Sequence, residues 1–215
     1  MPESISLARQ QKLAAIGDET ETVVREGRAV LIGTLNIAES IEVANELSSR
    51  GLSFELLNGV QDADEAAIVA KAGQPRAITV ATNLAGRGTD IGLDPSVARL
   101  GGLHVIVTQK HTLARVDRQL IGRCARCGDP GTARVFISAD DALPQDHAPW
   151  LKRAIQRWDE RGQPGKMSLE RRLRKVQIDQ QRLATSLRWR LLQSDRDDEQ
   201  LLNKSTVSPD RCWQL

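Results

Sequence analysis

Thr82-Asn83-Leu84-Ala85-Gly86-Arg87-Gly88-Thr89-Asp90-Ile91 is the stretch whose reading decides the fold. It follows Ala77-Ile78-Thr79-Val80-Ala81, an apolar, β-branched run that reads as a buried strand. Two glycines then bracket an arginine, and a Thr-Asp pair closes the segment. Glycines just past a strand end let the backbone approach a ligand or take positive φ. Taken alone, the pattern fits a tight turn as well as it fits a ligand loop. Its neighbours decide between the two.

Working outward, the chain alternates short apolar runs with helical periodicity. Ser6 to about Arg28 reads as a helix, and Ala29-Val30-Leu31-Ile32 as a strand. Ile37, Ile41, Val43, Ala44 and Leu47 recur at helical spacing down to Arg50-Gly51, a C-terminal stop. Phe54–Leu57 is a strand and Ala63–Ala72 a helix. After the opening stretch, His104–Thr108 is a strand, Leu113–Gln119 begins a helix, and Ala133–Ser138 is the last strand. Strands alternating with helices at this spacing predict an α/β fold, a doubly wound and mainly parallel sheet with helices on both faces. In such sheets ligands sit at the carboxyl ends of strands, where Gly33-Thr34 and the opening stretch both fall.

Composition shifts near Pro144–Pro149. Beyond it come a basic helical segment, Trp150 to Arg161, and a longer helix from about Ser168 to Ser194. Leu169, Leu173, Val176, Leu183, Leu187 and Leu191 form its apolar stripe, with arginines on the other faces. A basic stripe of this kind suits nucleic acid, anionic lipid or simple solvation. The polar residues from Asp195 onward read as a poorly ordered tail.

At 215 residues the chain is long enough for one α/β domain and an appendage. Its net charge of +2 does not by itself imply a polyanion partner, and 3% aromatics with no Tyr argue against base stacking. No apolar run reaches the length of a membrane span, and the N-terminus lacks a signal-peptide pattern, so a cytoplasmic protein is expected. Cys124 and Cys127 have C-x-x-C spacing, but Cys212 and the three histidines form no second spaced pair, so no zinc is expected.

About thirty residues beyond the opening stretch lies Gly122-Arg123-Cys124-Ala125-Arg126. Arginines three apart on a helix share a face, and two planar guanidiniums suit the oxygens of a di- or triphosphate. The Gly128-Asp129-Pro130-Gly131 that follows is a turn signal, so a plain surface turn is the competing reading. Together with the Gly-Arg-Gly-Thr-Asp segment, the arginines favour phosphate binding.

Residues 81–91 resemble helicase motif V of SecA, the motor ATPase of bacterial protein secretion, and Arg115–Gly131 resembles its motif VI. The likeness extends to Val30–Ser40, Leu57-Asn58, Ala72–Gln74, Gly101–Ile106 and Phe136–Asp140, and more loosely to the helices from Trp150 to Ser194. It implies the second nucleotide-binding domain of a SecA preprotein translocase, RecA-like and akin to a helicase C-terminal domain, plus the start of its helical scaffold. The expected division is 1–143 for the RecA-like domain with motifs IV to VI, 144–195 for the scaffold-like segment and 196–215 for the tail. By the same resemblance Asp90 contacts the nucleotide, Gly86 and Gly88 shape its loop, and Arg123 and Arg126 are arginine fingers acting in trans. Gln119 couples nucleotide state to movement. The implied cofactor is ATP, with Mg²⁺ held by a P-loop-containing first motor domain or separate subunit. A membrane translocase channel and preprotein are the further partners, no specific nucleic acid is expected, and the implied location is cytoplasmic, peripheral at the inner face of the plasma membrane.

Departures from the family pattern bear on this. The 215 residues contain no G-x-x-x-x-G-K-[ST], so the chain on its own is not expected to hydrolyse ATP appreciably. Ile121 stands where the family has Arg, Ala125 where it has Gly, and Cys127 where it has Gln. Ala125 narrows backbone freedom between the two arginines. The alternatives are a non-catalytic accessory or regulatory module docking on a translocase, and half of a nucleic-acid helicase.

Overall fold

The computed structural model describes residues 3–57, 65–82, 91–125, 128–161 and 166–206. Among the described residues, six strands form one all-parallel sheet in the order β1-β6-β5-β2-β4-β3. They are β1 Glu3–Ser6, β2 Val30–Thr34, β3 Glu55–Leu57, β4 Ile78–Thr82, β5 Leu103–Val107 and β6 Gly131–Ser138. The interleaved helices are α1 Arg9–Arg25, α2 Ile37–Ser49, α3 Glu65–Lys71, α4 Pro95–Arg99 and α5 Ala114–Ile121. After β6 come α6 Ala142–His147, α7 Trp150–Arg161 and α8 Lys166–Thr206. This is the expected α/β architecture.

The strand alternation sorts the core into two layers, because successive side chains leave a strand on opposite faces. Val30, Ile32, Val80, Ile106 and Phe136 pack against Ile16 and Val23 of α1 and Val43 and Leu47 of α2. Leu31, Val105, Val107, Val135 and Ile137 face the other way, onto Leu120 of α5, Leu151 and Ile155 of α7 and Leu173 of α8. β2 and β5 are buried at every position, as strands covered on both faces must be.

Two local expectations are corrected. The chain opens on a strand, and helix α1 starts only at Arg9. Glu3-Ser4-Ile5-Ser6 carries a single apolar residue, so no period announces it. It is held by parallel pairing with β6, by Ile5 against the core and by a Glu3–Lys110 ion pair of 2.5 Å. At the other end, α8 continues past Ser194 to Thr206, through residues expected to be tail. That stretch holds no Gly or Pro and is rich in residues that tolerate a helix. The leucine stripe is also divided: Leu169 and Leu173 are buried, whereas Leu183, Leu187 and Leu191 are 53%, 49% and 63% exposed. Among the described residues, no helix is long and apolar enough to cross a membrane.

The sheet face opposite α5 also carries a buried histidine. His104 Nδ1 lies 2.7 Å from Thr132 Oγ1, and Arg28 donates to the carbonyls of Gly101 and Gly102 beside it. Glu19, 3.4 Å from Nε2, is already paired with Arg134. Burial, then the guanidiniums of Arg28 and Arg134, hold the His104 pKa down to about 4, from 6.5. The unfolded chain therefore binds more protons than the folded one between those values, and stability falls as pH drops from 6.5 to 4. The loss should total roughly 3 kcal/mol, read as denaturant midpoints across that window. His104→Gln should flatten the slope, and an unchanged slope would reject this origin.

Candidate functional site

The carboxyl-terminal edge of the sheet is organised by a buried polar network. β2 ends at Thr34, level with Thr82 of β4, and Thr108 Oγ1 donates to Gly33 O at 3.1 Å. Asn36 caps α2 by accepting from Glu39 N at 2.9 Å, while Glu39 Oε2 accepts from Leu35 N at 2.9 Å. Gln109, just past β5, donates to the same Oε2 at 2.8 Å. Lys12 of α1 completes the set, 3.5 Å from Glu39 Oε1 and 2.5 Å from Asp141 Oδ1, and Asp141 Oδ2 accepts from Ser138 N at 2.7 Å. Lys12 and Glu39 are each 1% exposed. Burial pushes the Asp141 carboxyl up, with Lys12 opposing it. One ion network thus pins the loops after β2, β5 and β6.

The glycine-containing stretch follows β4, which ends at Thr82, and Ile91 at its far end packs on the core. Asn83 to Asp90, including Gly86, Gly88 and Asp90, lie outside the described residues. The second constellation is better defined. Asp117 on α5 accepts from His111 N at 2.9 Å and from Gln177 Nε2 of α8 at 2.7 Å. The Gln177 amide also donates to His111 O at 2.7 Å, so α8 is fastened to the β5–α5 loop and to α5 together. Burial pushes the Asp117 carboxyl up, and these donors pull it back.

The last turn of α5 then crosses the sheet edge. Leu120 lies so tightly on Gly33 that any Cβ at residue 33 would overlap its side chain. This contact sets the end of α5 over the end of the central strand β2, where glycine alone leaves the room. Gln119 stands exposed beside Leu120, and Arg123, half-buried, follows in the turn after Gly122. Cys124 is buried with its carbonyl against Gly131, where again a side chain would not fit. Burial pushes its thiol up, away from the thiolate that a metal needs. Arg126 and Cys127 lie outside the described residues, as does Cys212.

The sequence singled out Gln119 and Arg123 as candidates, and Lys12, Glu39, Gln109, Asp141 and Gln177 enter only with the structure. For Lys12 a signal existed. Lys12, Ile16, Thr20 and Val23 recur at spacings of four, four and three, and all four are buried. A lysine on such a stripe calls for a buried carboxylate. The donor set fits one wall of a nucleotide site: guanidinium and amide groups are present, while the 215 residues hold no lysine in a phosphate-cradling loop.

Comparison with known proteins gives a consistent family. The family model described as the SecA P-loop domain matches residues 1–99 and 94–158. The Protein translocase subunit SecA 2 of Chlorobium chlorochromatii is 41% identical over 208 residues, 94% of this chain and 31% of the relative. The Protein translocase subunit SecA of Chlamydia caviae is 47% identical over 137 residues, 64% of this chain and 14% of the relative. The chain therefore spans less than a third of the length of either. Among solved structures, the Escherichia coli DEAD-box protein SrmB bound to RraA superimposes with a TM-score of 0.55. It is 22% identical, over 68% of this chain and 81% of that one. The RNA helicase Prp28 from Chaetomium thermophilum, bound to ADP, gives 0.52 at 22% identity, over 77% of this chain and 39% of that one. These likenesses show the RecA-like fold.

Proposed function

The chain belongs to the SecA family, and from that premise we propose that it is the half of a protein-translocating motor that lends Asp90, Arg123 and Arg126 to a shared ATP site. The P-loop and the Mg²⁺ ligands come from a first motor domain, on the same polypeptide or another. ATP bound between the two supplies the phosphoryl group whose transfer drives movement. This chain's part is to present guanidiniums to the γ-phosphate and a carboxylate to the nucleotide, with Gln119 relaying the state of the site.

One observation carries the reading. Leu120 on Gly33 brings the end of α5, with Gln119 and Arg123 on either side of it, to the carboxyl-terminal edge of β2 beside β4. That is where an open α/β sheet takes its ligand, and β4 is the strand that leads into Asp90. The order of motifs supports the second of the family's two RecA-like units, and the helices after β6 support the start of its scaffold. The partners that follow are the P-loop domain, a membrane translocase channel and a preprotein, met at the cytoplasmic face of the membrane.

The test is complementation. This chain is mixed with the P-loop-bearing portion of the Chlorobium relative, and ATP hydrolysis is followed. The mixture should hydrolyse ATP well above the sum of its parts, with association strengthened by nucleotide. Association without any gain in hydrolysis would instead make this chain a docking module.

A further inference from the structure

Charge is unevenly spread along the chain. Between Trp150 and Lys175 there are nine basic residues against three acidic ones, in a protein whose net charge is only +2. Part of that charge converges on one cleft. Trp150, Arg153, Ala154 and Arg157 recur at helical spacing along one side of α7, adjoining the buried Leu151 and Ile155; Trp150 and Ala154 pack partly on the same core, and Arg153 and Arg157 are exposed. With Pro149 and with Arg172 from α8 they line a cavity of about 480 Å³. Among the described residues, no carboxylate lines it.

We propose that this cleft is a binding site for a phosphoryl anion with at least two phosphate groups, a soluble oligophosphate of the pyrophosphate class. The reasoning starts from repulsion. Three guanidiniums lining one cavity repel one another, and an anion seated among them would relieve that; none of the described lining residues carries one. Arginine presents a planar fork that pairs phosphate oxygens two at a time, and three forks spread around a cavity of about 480 Å³ suit an anion whose oxygens are spread over more than one phosphate.

Preorganisation adds to this. The Arg172 guanidinium lies 3.8 Å from the centre of the Trp150 ring, a stacked position that restricts its motion without neutralising it. Leu151 and Ile155 fix α7 to the core, and Leu169 and Leu173 fix the facing turns of α8, so both walls are anchored. The one ion pair formed by a lysine of this helix, Lys152 with Asp140 at 3.6 Å, lies outside the cleft. The cavity is of the size that encloses small ligands rather than a bare ion. It is formed by the helices after the sheet, and neither Gln119 nor Arg123 lines it.

The test is calorimetric titration of the whole chain with pyrophosphate at fixed ionic strength, with sulfate as the control for nonspecific charge. Saturable binding of one pyrophosphate is expected, weakened about tenfold in each of Arg153→Gln and Arg157→Gln. Both residues are exposed, so these variants should keep the helical content of the parent. Arg172→Lys, which keeps the charge but loses the fork and the stacking, should also weaken it. Arg190→Gln, on the distal part of α8, should not. A parallel arm uses phosphatidylglycerol vesicles against phosphatidylcholine vesicles. Vesicle binding that pyrophosphate displaces, and that the same variants lose, would identify a lipid headgroup as the source of the phosphoryl group. Equal losses from Arg190→Gln and the cleft variants, or no saturable binding in either arm, would overturn the site.

Discussion

Arg123→Ala is expected to lower the ATPase rate of the reconstituted pair by at least about 10³-fold, the lower end of what an arginine finger contributes. The reason is chemical. In the proposed site, charge that spreads over the γ-phosphate oxygens in the transition state is met by the Arg123 guanidinium, and alanine leaves that charge to water. Arg123→Lys should recover little, because an ammonium keeps the charge and loses the fork. Binding of nucleotide should change far less than turnover, since the contact strengthens as the reaction proceeds. Arg123 follows the C-terminal turn of α5 and is not part of the buried core, so the variant should fold as the parent does. A rate within threefold of the parent would remove Arg123 from the site. It would leave the family and the fold untouched.

The second large effect concerns stability. Lys12→Met should destabilise the chain by about 3–5 kcal/mol, the usual cost of stripping one partner from a buried ion pair. The methionine fills nearly the same volume, so packing loss is a minor part. What remains is Asp141 and Glu39 facing each other in a site with almost no access to water. Burial already pushes the Asp141 carboxyl up, and removing the ammonium pushes it further. The variant therefore escapes part of its deficit by taking up a proton. Its deficit should be larger at pH 8 than at pH 5, the opposite slope to that of His104. Adding Asp141→Asn and Glu39→Gln should recover much of the loss. A deficit below about 1 kcal/mol that does not vary with pH would mean that water reaches the pair.

Strands β2 to β6 were legible because each is a short apolar run bounded by turn residues, and α7 because its basic segment ends at Gly162. Gly86, Gly88, Asp90, Arg123 and Arg126 stood out by type and spacing, whereas Gln119 came only from the resemblance to motif VI. What the one-dimensional pattern could not carry is pairing across long separations. Lys12 meets partners 27 and 129 residues away, and Gln177 reaches back 60 residues to Asp117. β1 was invisible for a related reason. Its hold on the sheet comes from backbone pairing with β6, more than a hundred residues later, and backbone groups have no sequence signature. Gly33 was read as a possible ligand contact, whereas its described neighbour is Leu120. The missing side chain makes room for another part of the chain.

The unequal anchoring of α8 has a mechanical consequence. Its grip on the body is concentrated near its start, at Leu169, Leu173 and Gln177, and from Gln177 to Thr206 the helix runs on for about 44 Å at 1.5 Å per residue. Over that length a tilt of about 5° at the fulcrum sweeps the far end through roughly 4 Å. Gln177, bonded to Asp117 on the helix that leads to Arg123, sits at the fulcrum. A shift of α5 too small to disturb the core is thus magnified, at the distal end, to the width of a side chain.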